Sequence, residues 1–271
     1  MKNNKSIYSA VIVTFILPIF ISLVIIGFAP TGTAQDQLTF LGRSNQPKYL
    51  LGEPVVLEFE ITNNGKDPVK VQQYGVETGG LKIFISSDRN GEYKEFFVGA
   101  WGRKRGRYIT LDPGESHKFK EVTILWNGKP KDSGLNEQAA RRLFAGKIIT
   151  EYAFPEPGVY FVKALSDFGA EGSRFESEPI RIVIQEPEGE NLEAWKQING
   201  RKEIARLMQI GDFNVDDEYE KEQLSNEVEL IFTQFPNSIY SNYLKQSLKK
   251  FKEAEAQRKK AYENMTRGQK P

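Results

Sequence analysis

The densest group of chemically active side chains is Trp101-Gly102-Arg103-Lys104-Arg105-Gly106-Arg107-Tyr108. Four cations set between two aromatics and loosened by glycines can grip an anionic glycan, a lipid headgroup or an acidic protein face through charge-assisted bonds and stacking. The plain alternative is a solvated hairpin loop whose charges keep a sheet edge from pairing. Trp101, Arg103, Lys104, Arg105, Arg107 and Tyr108 are therefore the candidate ligand-binding residues. Nucleophilic catalysis needs a base set against a nucleophile, and the one histidine, His117, adjoins Ser116. Neighbours on a strand point to opposite faces, so these two make no dyad with each other. No Gly-x-Ser-x-Gly elbow occurs, and His117 reads as a surface histidine at a strand start.

One histidine and no cysteine exclude the usual structural zinc sets and leave no thiol for a disulfide or a lipid. Asp212, Asn214 and Asp216 alternate like the first half of a calcium-binding hand, but Asp217 stands where that loop needs glycine and Gln223 where it needs a bidentate glutamate. The stretch reads as a solvated acidic loop that starts a helix. No carboxylate pair is distinguished for sugar hydrolysis, and Gly99-Ala100-Trp101-Gly102 has neither the spacing nor the lysine of a phosphate loop. No catalytic residue, metal or cofactor is therefore assigned. A formal net charge of +1 lacks the basic excess of a nucleic-acid-binding chain.

The elements that would carry these residues follow two periods. From Leu38 to Ile184 apolar residues recur mainly at every second position between Gly, Pro, Asn and Asp, which predicts a β-sandwich or barrel. The clearest strand is Val55 to Ile61, with Val55, Leu57, Phe59 and Ile61 facing a core. Asn63-Asn64-Gly65-Lys66-Asp67 turns the chain into Val69-Lys70-Val71, and Leu81 to Ile85 pairs with Tyr93 to Val98 across Asp88-Arg89-Asn90-Gly91. Further strands are expected at Arg107 to Leu111, Lys118 to Trp126, Val159 to Leu165 and Ile180 to Ile184. Between Asn127 and Thr150 the alternation lapses into an insertion with one or two helical turns.

Two phrases carry a family resemblance. Leu50-Leu51-Gly52-Glu53-Pro54 with the strand that follows it, and Leu111-Asp112-Pro113-Gly114-Glu115, resemble the opening strands and mid-domain turn of bacterial extracytoplasmic immunoglobulin-like domains. Phe154-Pro155-Glu156-Pro157-Gly158-Val159-Tyr160 is similar to their penultimate strand, and the resemblance implies that the Tyr160 hydroxyl bonds backbone just upstream. It covers about 150 residues and implies an immunoglobulin-like sandwich without the cysteine pair of antibody domains. These motifs are structural and say little of function.

Gln185 to Asn191 breaks the strand pattern, and residues 186–191 read as an acidic linker. Beyond it the period is helical. Leu192, Trp195 and Ile198 share a face, Asn199-Gly200 interrupts, and Ile204, Leu207 and Met208 resume it. Two longer helices carry Leu224, Val228, Ile231, Phe232 and Phe235, then Tyr240, Leu244, Leu248 and Phe251. Pro236 ends the first, and Asn237 or Ser238 caps the second. This join resembles the turn of tetratricopeptide-like helix pairs in bacterial envelope proteins. One pair cannot close a core alone, so it must lean on the sandwich, on the first helical segment or on a partner. Phe232, Phe235, Tyr240, Leu244 and Leu248 are the candidate partner-binding residues. The lysines from Lys249 to Lys260 read as the solvated face of the last helix, with a membrane-surface role as the alternative.

Lys2 and Lys5 precede an apolar stretch from Ile7 to Ala29, and Gly32-Thr33-Ala34 offers a cleavage site. Residues 1–34 are a signal peptide or, because about 20 apolar residues suffice to span a bilayer, an uncleaved membrane anchor. Both place the rest outside the cytoplasm. The expected fold class is an all-β immunoglobulin-like sandwich over residues 35–185 followed by a small α-helical tail over 192–271. The expected function is that of a non-catalytic exported envelope protein, periplasmic or extracellular, whose partner is another envelope protein. Binding an anionic glycan or lipid headgroup through Trp101 to Tyr108 is the second expectation, and an envelope hydrolase the third.

Overall fold

The computed structural model describes residues 38–73, 75–76, 80–96, 108–127, 151–167, 174–213 and 215–267. The signal or anchor segment and nearly all of the expected 127–150 insertion lie outside the described residues. The described chain is mostly β-sheet followed by helices at its C-terminal end.

One sheet is built on β3 (Val55–Asn63), flanked by β1 (Leu38–Ser44) on one side and by β8 (Ser116–Lys118) and β9 (Val122–Ile124) on the other. A second sheet runs β2 (Lys48–Leu50), β14 (Ile180–Gln185), β12 (Gly158–Asp167), β5 (Leu81–Ser86) and β6 (Lys94–Phe96), and β13 (Arg174–Glu176) also pairs with β12. Two short ribbons complete the β region: β4 (Val69–Gln72) with β7 (Tyr108–Leu111), and β10 (Trp126–Asn127) with β11 (Glu151–Tyr152). Alternation on β3 works as predicted, because Val55, Leu57, Phe59 and Ile61 are buried while the residues between them are half-exposed. They share one apolar core with Ile83, Val162 and Ile182 of the second sheet.

Two polar residues pin this core. Asn63 is fully buried, yet its Nδ2 donates to the carbonyls of Asp67 and Leu111 at 2.9 Å each and its Oδ1 accepts from Gly65 N at 2.9 Å. The predicted turn is thus tied internally. The Tyr160 hydroxyl donates to the Glu156 carbonyl at 2.8 Å, the upstream bond that the resemblance implied.

The single strand expected from Lys118 to Trp126 is broken into β8, β9 and β10. Phe119 and Val122 are both buried although three positions apart, which a continuous pleat cannot achieve. A second break follows at once: Ile124 belongs to the first core and the adjacent Leu125 to another, so the chain passes from one core to the next there. The short pairings β1, β2, β11 and β13 were not singled out by the alternation.

The helices are α1 (Gly189–Ile198), α2 (Lys202–Ile210), α3 (Glu218–Gln234) and α4 (Ile239–Arg267). Asn199-Gly200 separates the first two, with Gly200 at φ +77°, and Gly211 caps α2 at φ +76° with its N–H on the Leu207 carbonyl. The Asp217 side chain accepts from Glu220 N at 2.8 Å to start α3. The expected 186–191 linker is shorter than the sequence implied. α1 already begins at Gly189, and the side chains of Glu190 and Asn191 are tied into the α3–α4 turn: Glu190 accepts from Asn237 N at 2.8 Å, and Asn191 Oδ1 accepts from Ile239 N at 2.8 Å. Acidic residues that resemble a solvated linker act here as a side-chain cap for a helix nearly fifty positions away.

Candidate functional site

The best-built polar site lies where the helices meet the β region, around Leu50 to Pro54. The apolar part of this joint is a second core that combines Trp195 and Ile198 of α1, Leu207 and Met208 of α2, Leu224 and Val228 of α3, and Tyr240, Leu244 and Leu248 of α4. From the β side Leu125 enters it, with Leu50, Leu51, Trp126 and Tyr152 packed against it. Trp195 carries the contact: its ring packs edge-on against Tyr152 at 5.2 Å between centroids and stacks on Tyr240 at 6.0 Å. The other side of the ring is met by Gly52, which has φ +80°. A Cβ there would stand 2.5 Å from Trp195 Cη2, and closer still to two other ring carbons. Only glycine supplies both the left-handed backbone and the bare Cα that this approach requires.

The polar groups of the joint close on one another. Glu53 is 3% exposed. Its carboxylate accepts from Gln46 Nε2 at 2.6 Å, Leu50 N at 2.8 Å and Tyr243 Oη at 3.0 Å, so a buried acid is met by three donors. The Tyr240 hydroxyl donates to the Leu51 carbonyl at 2.6 Å, and Trp126 N donates to Gln209 Oε1 at 2.6 Å. Burial pushes the phenol of Tyr152 up to about 12. Burial first, and then the neighbouring Glu53, hold Tyr240 and Tyr243 above the ordinary phenol range. These phenols are hydrogen-bonding struts rather than acids ready to lose a proton.

A second polar feature is a shallow, open cleft of about 460 Å³, lined by Arg89, Asn90, Lys163, Glu176, Ser177 and Glu178 among others. Lys163 Nζ lies 2.6 Å from Glu176 Oε1 and 4.3 Å from the centre of the Tyr93 ring. The hydrogen bond to Glu176 raises the Lys163 pKa, which keeps the ammonium charged. The Ser177 hydroxyl oxygen accepts from Ala164 N at 2.9 Å. The cleft offers charge to a polar ligand but pairs no nucleophile with a base. His117 is engaged elsewhere: its Nε2 lies 3.2 Å from the Gln73 carbonyl, its ring packs edge-on against Phe119, and the Ser116 hydroxyl meets Thr62. Among the described residues no cluster of three His, Asp or Glu could hold a metal ion.

Trp101, Arg103, Lys104, Arg105 and Arg107 lie outside the described residues, and Tyr108 is exposed at the start of β7. The partner-binding set needs correction. Tyr240, Leu244 and Leu248 are buried in the second core and present no surface to another protein. Phe232 and Phe235 are half-buried against the same core. The stripe is covered by α1, α2 and the β region, the first two of the three supports that the sequence left open. Sequence reasoning passed over Gly52, Glu53 and Tyr243 as parts of a joint. The available signal was an acid placed next to proline, just before the most apolar strand in the chain.

No protein-family model matches the chain, and no curated protein is similar to it in sequence. Solved structures with a partial likeness include the sporulation control protein Spo0M from Bacillus subtilis, at 13% identity over 60% of this chain and 54% of that one, with a TM-score of 0.30. The alkylpurine DNA glycosylase AlkC from Pseudomonas fluorescens is 15% identical over 55% and 30%, with a TM-score of 0.28. A β-glucosidase from Listeria innocua is 14% identical over 55% and 16%, with a TM-score of 0.25. The chain spans about half the length of Spo0M. Likenesses this slight say nothing of what the chain does.

Proposed function

We propose that this is a non-catalytic exported protein in which an immunoglobulin-like sandwich and a tetratricopeptide-like helix pair are fused into one rigid body that acts as a protein-interaction or structural module of the cell envelope. The observation that supports it is the joint. Trp195 seated on Gly52, Glu53 held by three donors and Tyr240 bonded to Leu51 fix the helices against the β region. A polar network of this kind, satisfied internally and shifted toward neutral phenols, serves rigidity and specificity of packing. It leaves outer surfaces rather than a reaction centre to carry function.

Fractionation and pull-down test the reading. The chain is expected in the envelope fraction, either with its amino terminus at Gln35 or with residues 1–34 retained as an anchor. It should recover a protein partner in fixed stoichiometry from that fraction. Recovery from soluble cytoplasm with Met1 intact overturns the export part. Salt-sensitive binding to an anionic glycan that is lost on deletion of residues 101–108 replaces the protein partner with the ligand-binding alternative.

A further inference from the structure

The helix α4 outruns the unit it belongs to. α3 begins at Glu218, level with Glu255 and Arg258 of α4, as shown by Lys221 on Glu255 at 3.4 Å and Arg258 on Asp212 at 3.2 Å. From Ala256 to Thr266 every α4 residue is exposed, an overhang of 11 residues or about 16 Å at the α-helical rise. Its pattern nevertheless continues that of the buried part. Leu248, Phe251, Glu255, Arg258, Tyr262 and Met265 follow one another at alternating steps of three and four, the seam spacing of paired helices. Tyr262 and Met265 are exposed at 67% and 64%, so the seam runs on into solvent without a cover.

Charge indicates what covers it. The overhang carries Arg258, Lys259 and Lys260 against Glu263. At the base of the overhang, the segment from Asp216 to Glu222 carries five carboxylates against Lys221, with Tyr219 exposed at 69% among them. One molecule thus presents a basic rod with an apolar seam and, at the foot of that rod, an acidic patch with an exposed ring. We propose that the cover is a second copy of this chain. Two overhangs lie antiparallel across a two-fold axis near Ala261, each seating Tyr262 and Met265 on the other's seam and laying its lysines toward the other's acidic segment. An isologous pairing satisfies both charge patches at once, which is the economy of a two-fold contact. The proposal goes beyond the functional reading above and holds whether or not the chain is exported.

The chain has no cysteine, which makes single-cysteine cross-linking direct. In the full-length protein Ala261→Cys is small, exposed and close to the proposed axis. Leu41→Cys, exposed on β1, is the collision control. Ala261→Cys is expected to form disulfide dimers at least about tenfold faster than the control at equal protein concentration, because pairing raises the local thiol concentration. Tyr262→Glu added to Ala261→Cys should remove the advantage with circular dichroism unchanged, and so should 1 M salt, where the Debye length is about 3 Å. Equal rates for the two cysteines, or an advantage that survives Tyr262→Glu, overturn the proposal. Tyr262-dependent retention on anionic lipid vesicles without an Ala261→Cys dimer would give the overhang to a membrane surface instead, and also overturns it.

Discussion

Replacing Gly52 by alanine tests the joint at its tightest point. The new methyl must sit 2.5 Å or less from three ring carbons of Trp195, which is 6% exposed and held between Tyr152 and Tyr240. The ring cannot retreat without opening the second core, so overpacking should cost about 1–3 kcal/mol. The backbone at φ +80° adds about 1–2 kcal/mol for any residue with a Cβ. Together these predict a loss of about 2–5 kcal/mol. At a urea m-value near 3 kcal/mol/M the midpoint of unfolding should drop by about 1 M or more. Urea titration of the full chain, followed by tryptophan fluorescence and by circular dichroism, reads this directly. A double-mutant cycle with Trp195→Leu separates the causes. In the smaller-ring background only the backbone strain should remain, so the cost of Gly52→Ala should fall to about 1–2 kcal/mol. A Gly52→Ala midpoint equal to wild type, or strictly additive effects in the cycle, would show that glycine at this position is not what seats the tryptophan.

Removing one hydroxyl with Tyr240→Phe strands the Leu51 carbonyl and should cost about 1–3 kcal/mol in the same titration, whereas Tyr243→Phe should cost less because Glu53 keeps two other donors. Leu248→Ala, at a buried position, should cost about 2–5 kcal/mol by urea midpoint, and the half-buried Phe232→Ala distinctly less. Asn63→Ala should destabilise by at least about 1–3 kcal/mol, because the buried Leu111 carbonyl loses its side-chain donor and the turn loses two further bonds. Alkaline pH should unfold the protein through its phenols. Tyr152 is neutral in the fold up to about 12 but ionises near 10.0 once unfolded, so its contribution is complete below pH 10 and is lost as pH climbs toward 12. The slope is about 1.4 kcal/mol per pH unit for one such group, and Tyr240 extends the effect to higher pH. Urea midpoints that stay level from about pH 9 to about pH 11 would contradict this coupling.

Much of the fold was legible because its causes are local. Alternation along Val55 to Ile61 dictates which side chains a pleated strand buries, and Asn199-Gly200 and Pro236 stop helices whatever lies around them. The upstream bond of Tyr160 spans four residues and could be expected from the Pro-Gly phrase before it. The sequence also showed that the helix pair carries more apolar surface than two helices can hide. Which surface hides it is a matter of contacts between residues some 190 positions apart, as in Tyr240 with Leu51 and Tyr243 with Glu53, and no period along the chain encodes those. The same non-local cause splits Lys118 to Trp126, where Ile124 and Leu125 answer to different cores. It turns the residues after Gln185 from a linker into a helix start whose side chains cap another helix. Residue types determined that strands, turns and helices form and where they stop; only the packing of one unit on the other decided that Gly52 must lack a side chain and that Tyr240, Leu244 and Leu248 face inward rather than toward a partner.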